Sequence, residues 1–465
     1  QTVIKNKDYN NFVAKLDISQ LAFDERLKID FGAFGSSQQD EKIFDIQALS
    51  YSTAAMNPTL PFHKTGNGWQ RNGNASQIGP TEPLLFERND EKNLTFNSHL
   101  QLSLQLTHNL HLAALGSYSY TSTENGRFAP TWVWAQGLAY RGERKTEDIL
   151  GNISLDWKYR WGINKLSTTI LAEYQKKKIA AFWTQVKGLT NNYFGYDNLG
   201  AASDRPYGGT GSSYADPSLT SFMGTLTYTL LDRYTLNLTT RADGSSMVGK
   251  DHTWGIFPSI SATWDMKKES FLRNNKSISL LNLRTGYGRS GNLGGISSYL
   301  TLRQYIPVGL ISYNGTPTVT MGTLRNSNPD LRWETRSTFN IGTDLGLFNN
   351  RLLLTAEYYY SKTTDMLYEY DVPVPTFAFD KLLANIGSMS NSGFELGIGV
   401  VPISKKDMEL NVNVNMAWQK NKLLSLNGKH NGRQMTASEI TPIGGMNGAG
   451  FHGGYNDIIY QIVGQ

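Results

Sequence analysis

Along most of the chain, apolar residues fall at every second position over runs of about ten, the period of a strand whose two faces meet different surroundings. The clearest run is Met408 to Trp418. Met408, Leu410, Val412, Val414, Met416 and Trp418 share one face; Glu409, Asn411, Asn413, Asn415 and Gln419 share the other. Leu100, Leu102, Leu104 and Leu106 alternate with polar residues in the same way, as do Ile153, Leu155, Trp157 and Tyr159, and Phe222, Gly224, Leu226, Tyr228 and Leu230. The template predicts about fourteen strands, at 9–19, 25–36, 94–107, 110–122, 149–160, 165–176, 218–230, 233–244, 254–266, 277–290, 334–347, 351–364, 389–402 and 408–420. Helical periodicity is nearly absent.

The connections alternate between two kinds. Tight turns are predicted at Phe23–Glu25, Thr107–Asn109, Trp161–Asn164, Leu231–Arg233, Phe348–Asn350 and Ser404–Asp407. Long loops fall between them, at about 37–93, 123–148, 177–217, 291–333, 365–388 and from 421 onward. Soluble domains rarely carry so many long loops, whereas outer-membrane barrels have short periplasmic turns and longer extracellular loops. Tyr and Trp gather near strand ends (Trp157, Tyr159, Tyr174, Tyr228, Tyr358, Tyr360, Trp418), as in an interfacial girdle. The fold class expected is therefore all-β, a transmembrane antiparallel β-barrel. A soluble sandwich or solenoid would share the alternation but not the asymmetry of turns and loops.

Composition narrows the function. The 465 residues include no Cys, which excludes zinc–thiolate sites, disulfides and thiol nucleophiles. Lys and Arg number 44 against 39 Asp and Glu, a small dispersed excess that gives no nucleic-acid stripe. Aromatics reach 12%, too many for a disordered chain. There is no run of eighteen apolar residues, hence no transmembrane helix, but barrel strands need only about ten. The chain starts at Gln1 without an initiator Met or signal segment, as expected of a processed or truncated piece.

Catalytic motifs are missing. Gly286/Gly288/Gly291 and Gly448/Gly450/Gly453 match the dinucleotide glycine spacing, but neither is followed by a helical pattern. The seven His show no metal-ligand spacing, no nucleophile elbow occurs, and Asp40-Glu41 and Asp90-Glu91 read as solvated loop carboxylates. No enzyme activity and no cofactor are expected. Asp243-Gly244 and Gly286–Gly291 are expected to use glycine's positive φ to bend the strand ends, with Arg241 and Asp243 pairing to loops.

Four stretches carry a resemblance. They are Arg241–Ser246 with Trp254–Trp264; Leu283–Asn292; Asn328–Thr335 leading into Asn340–Arg351 and Tyr358–Asp365; and Asn385–Glu395 with Asn421–Leu426. In this order they resemble the SusC/RagA family of TonB-dependent outer-membrane transporters of Bacteroidota, most densely from about 216 to 426. The resemblance implies about fourteen strands of a 22-stranded barrel, residues 1–465 forming a partial barrel domain without the plug or the C-terminal strands. It also implies outer-membrane location and energy-coupled import of oligosaccharides or peptides. The implied partners are a SusD-like lipoprotein lid, the TonB–ExbB–ExbD complex acting through the plug and TonB box missing here, the cargo, and outer-membrane lipid. Two alternatives stay open: a passive porin of about fourteen strands, and a β-rich surface glycan-binding module.

Sugars are held by aromatic rings with polar groups around them. The long loops offer Trp132, Trp134, Trp183, Tyr193, Phe194 and Tyr196 as candidates for substrate or lid contact, against a packing role for the same rings. Asn411, Asn413, Asn415, Gln419, Asp344 and Glu395 are expected on the interior-facing side.

Overall fold

A computed structural model of the chain describes residues 8–43 and 81–430 continuously, with short segments between 44 and 80 and beyond 430. Its long strands are β1 (Tyr9–Ala22), β2 (Leu27–Glu41), β3 (Arg88–Thr107), β4 (Leu110–Ala129), β5 (Leu138–Trp161), β6 (Asn164–Leu189) and β7 (Ser218–Leu230). They continue as β8 (Tyr234–Ser245), β9 (Trp254–Asp265), β10 (Ile278–Asn292), β11 (Glu334–Leu347), β12 (Leu352–Asp371), β13 (Lys381–Lys405) and β14 (Met408–Ser425). Each hydrogen-bonds to its sequence neighbour, and two short strands, Ala202–Asp204 and Thr210–Ala215, add to β6. All fourteen predicted strands are present. The order follows from the turns, since only antiparallel neighbours can be joined by two or three residues. At Phe23, Asp24 and Glu25, Leu231 and Asp232, and Phe348 to Asn350 the backbone takes φ between +53° and +65°, which reverses the chain within the predicted tight turns.

The strands outrun the prediction at the long-loop end. β4 continues to Ala129 and β5 starts at Leu138, so the expected loop 123–148 contracts to 130–137. The loop 365–388 contracts to 372–380 by the extension of β12 and β13. Alternation stops there because loops and small buried clusters cover the strand ends in place of one uniform apolar medium, while the backbone bonds that define a strand carry on. A separate hairpin, Tyr305–Tyr313 with Thr316–Thr323, occupies the loop between β10 and β11.

The chain divides into two compact units. Unit 1 comprises residues 1–103, 114–151 and 175–217. Its buried cluster is Ala139, Val186 and Ala202, packed by Leu189, Tyr196 and Leu199. Unit 2 comprises residues 104–113, 152–174 and 218–465. It has two clusters, Val248/Ile296/Leu300/Leu331 and Tyr370/Val372/Leu382/Ala384. All three lie toward the long-loop ends of the strands. The large apolar residues of the mid-strands are instead uncovered, Ile170 at 60% and Ile256 at 65%. Such a surface in water would be an extended apolar patch; in hydrocarbon it is the solvated face.

Unit 2 shows the limits of that face. On β9, Trp254 and Trp264 lie on one side with Ile256, Pro258, Ile260 and Ala262 between them. Ten residues at about 3.3 Å each, tilted by about 40°, span about 25 Å, the height of an outer-membrane apolar band. Trp254 stacks on Phe222 with centroids 6.0 Å apart, and Trp264 on Tyr234 at 6.1 Å. At the lower belt Glu269 accepts from Tyr234 Oη (2.5 Å), Trp264 Nε1 (3.1 Å) and Arg233 Nη1 (3.1 Å).

The opposite face of unit 2 is polar and internally paired. Arg284 meets Asp344 through Nε (2.8 Å) and Nη2 (3.2 Å) and Glu357 through Nη1 (3.2 Å). Arg241 donates to Asp243 (2.7 Å), Ser221 (2.8 Å) and Glu173 (3.3 Å), so its partners are on strands and not on loops. The glycine expectation also needs correcting. Gly244 and Gly291 are absent from the positive-φ positions. They make room for rings: a Cβ would lie 2.9 Å from the Trp254 indole at Gly244 and 2.1 Å from Phe257 at Gly291. The Gly286–Gly291 stretch lies inside β10, and Gly448/Gly450/Gly453 lies outside the described residues.

Candidate functional site

Unit 1 brings the aromatic loops together. In the 130–137 turn, Val133 and Trp134 donate their backbone N–H to Pro130 O (3.0 and 2.9 Å), and Gly137 donates to Trp134 O (2.6 Å). Val133 is turned inward at 3% exposure, leaving Trp132 and Trp134 half exposed on either side. Trp132 meets Phe86 edge-on at 5.8 Å, and Trp134 Nε1 donates to the buried Glu87 at 2.5 Å. Asn192 ties this turn to the 190–201 loop, accepting from Thr131 N (3.0 Å) and donating to Thr131 Oγ1 (2.9 Å). In that second loop Tyr193 and Phe194 pack edge-to-face at 5.3 Å, and Tyr193 is 90% exposed.

Trp183 and Tyr196 are placed differently. Trp183, on β6, pairs with Gly211 of the short strand Thr210–Ala215, where a Cβ would lie 2.4 Å from its ring. Tyr196 covers Gly126 similarly, at 2.6 Å. Its hydroxyl donates to Asp90 and accepts from Arg88 Nη2 (3.1 Å), whose guanidinium carbon stands 4.8 Å from the ring centroid. Arg88 also donates to Asp90 at 2.6 Å. Burial, reinforced by the Asp90 acceptor, pushes the Tyr196 phenol up to about 12.

Tyr196 is one wall of a polar cavity of about 860 Å³. The ends of β2, β3, β4, β5 and β6 surround it, through Gln39, Asp90, Gly126, Arg141 and Phe182 among others. Seven carboxylates and three basic side chains line it, so it carries excess negative charge. Several are paired outward, as Glu91 with Lys42 at 2.6 Å and Glu143 with Lys145 at 2.8 Å. Asp40-Glu41 and Asp90-Glu91, read from sequence as solvated loop carboxylates, are thus on strand ends β2 and β3 and line this cavity. No sequence signal marked the contacts of Arg88 to Tyr196, Glu87 to Trp134 or Asn192 to Thr131, because they span 108, 47 and 61 residues. Among the described residues no group of three or more His, Asp or Glu side chains is placed to hold a metal ion.

In unit 2, a second polar-face cavity of about 770 Å³ is lined by Arg336, Asn340, Tyr359, Asn391, Glu395 and Gln419, among others. Glu395 and Gln419 lie where the alternation placed them, while Asp344 is held by Arg284 and Asn411 donates to Glu409 at 2.7 Å.

The chain matches the family model described as "TonB dependent receptor-like, beta-barrel" over residues 30–448. It is 27% identical to the TonB-dependent receptor SusC of Bacteroides thetaiotaomicron over 92% of this chain and 45% of that one. It is 30% identical to TonB-dependent receptor P3 of Formosa agariphila over 82% of this chain and 38% of that one. Among solved structures, the RagAB peptide transporter superposes with a TM-score of 0.76 at 18% identity, covering 90% of this chain and 47% of that one. The chain thus spans less than half the length of these relatives. The two aromatic belts, the uncovered apolar band and the polar opposite face agree with the family match: this chain belongs to the TonB-dependent receptors of the SusC/RagA type, as part of their outer-membrane β-barrel.

Proposed function

We propose that the whole protein imports oligosaccharides or peptides across the outer membrane, with energy from TonB–ExbB–ExbD and with a SusD-like lipoprotein over its long-loop end. The observation that carries this reading is the similarity to SusC along nearly the whole chain. The charged cavity and the exposed aromatic loops of unit 1 support it, because they offer hydrogen-bonding groups beside stacking rings. In this reading residues 1–465 form one stretch of barrel domain, and the plug with its TonB box belongs to sequence outside them. Trp132, Trp134, Tyr193 and Phe194 contact cargo or lid. Tyr196, seated over Gly126, shapes the wall behind them, while Trp183 packs over Gly211 beside β6. A strain lacking the gene, grown on defined polysaccharides and peptide mixtures, should lose growth on at least one of them. Undiminished growth and uptake on every polymer tested would reject the import reading.

A further inference from the structure

Unit 2 carries two recesses on its apolar face, in register along β7, β8 and β9. The lower one, of about 510 Å³, lies where the cross-strand row is small: Gly224, Thr240 and Pro258. Leu226, Ile260 and Tyr287 rise beside it. A Cβ built on Gly224 would meet nothing within 4 Å, so the gap is open to the hydrocarbon. The upper one, of about 430 Å³, lies at the long-loop end around Thr220 and Trp254. Its other walls include Ser218, Ser246, Lys250 and Tyr299, and Lys250 is the one charged residue lining it. Ser246 Oγ accepts from the Ser218 N–H at 2.9 Å, which leaves its own O–H to donate. Tyr299 enters at φ +69°, a region bulky residues avoid. Leu300 beside it is buried in the Val248/Ile296/Leu331 cluster and fixes that loop.

The stacked Phe222–Trp254 pair stands between the two recesses. On one side of this belt are hydroxyls and an ammonium; on the other is hydrocarbon. Thr220 and Gly224 are four residues apart on β7, about 13 Å along the strand. An occupant that satisfies both recesses needs a negatively charged head and an apolar tail about that far below it. It must also reside in the leaflet at the long-loop end.

We propose that the two recesses form one binding site for a membrane lipid with an anionic headgroup. Its phosphate sits at Lys250 and the hydroxyls, and an acyl chain lies in the gap at Gly224. The site faces the bilayer and does not depend on the cargo. The test uses the full natural chain, stripped of lipid in mild detergent and titrated by native mass spectrometry with lipid A, phosphatidylglycerol and phosphatidylcholine. One anionic lipid should be retained per chain at concentrations at least tenfold lower than phosphatidylcholine; the better of the two anionic lipids identifies the source of the phosphate. Lys250→Glu should abolish this preference. Gly224→Leu, which fills the gap, should weaken retention of all three lipids severalfold. Equal retention of all three lipids by the unaltered protein would show ordinary boundary lipid and overturn the proposal. So would unaltered behaviour in both variants, or a polypeptide in place of lipid on this face.

Discussion

At the residue scale, Tyr196 shows how a ring in a long loop serves architecture and site together. It covers Gly126, donates to Asp90 and lies under Arg88, closing one side of the charged cavity. Tyr196→Phe removes the hydroxyl's bonds to Asp90 and Arg88 and should cost about 1–3 kcal/mol in urea unfolding, leaving the ring contact in place. The pH dependence has a definite sign. The folded phenol is raised from 10.0 to about 12, so its contribution is complete below pH 10 and is lost as pH climbs through about 12. Absorbance at 295 nm should therefore show one fewer late-titrating phenol in the Phe variant than in the unaltered protein. Tyr193 differs, being 90% exposed. Tyr193→Ala should leave unfolding within about 0.5 kcal/mol of the parent while weakening cargo uptake or lid capture; unchanged uptake and capture would remove Tyr193 from the site. Both rings were visible in the sequence as a cluster, Asn191-Asn-Tyr-Phe-Gly-Tyr196. Their separate roles were not, because Gly126 and Asp90 reach Tyr196 from strands far away in the chain.

At the element scale, the strand period was legible wherever the two faces meet different media. On β8, Leu238 faces the apolar band at 40% exposure and Thr239 points to the other side. Leu238→Arg should destabilise by about 2–4 kcal/mol near the bilayer midplane. Thr239→Arg should cost much less, as read by urea unfolding in detergent micelles or vesicles. Equal costs would refute the assignment of faces. The tight turns were equally legible, since three residues between two alternating runs leave few options. The extensions of β4, β5, β6, β12 and β13 were not, because ladder hydrogen bonds leave no period once loops and local clusters replace a uniform apolar medium on one face. Glycine was misread for a related reason. At Gly244 and Gly291 the missing Cβ serves a neighbouring ring across the sheet, which linear spacing does not reveal.

At the scale of the whole molecule, an uncovered apolar band between two aromatic belts requires a bilayer. The natural full-length protein should stay with the membrane through alkaline carbonate washing and dissolve only with detergent; recovery of folded protein in the aqueous wash would contradict the structure. The class of fold, the number and order of the long strands, the face that meets lipid and the family were all readable from the amino-acid order. These follow from local periodicity, turn length and ordered motifs, which one dimension records. Three-dimensional packing alone puts Asp90 and Tyr196 on a shared cavity wall, joins two loops through Asn192, and sets Gly224 and Lys250 at neighbouring recesses of unit 2. Those pairings depend on cross-strand register and on loops folding back over strand ends, and residues distant in the chain carry no local mark of where register will bring them.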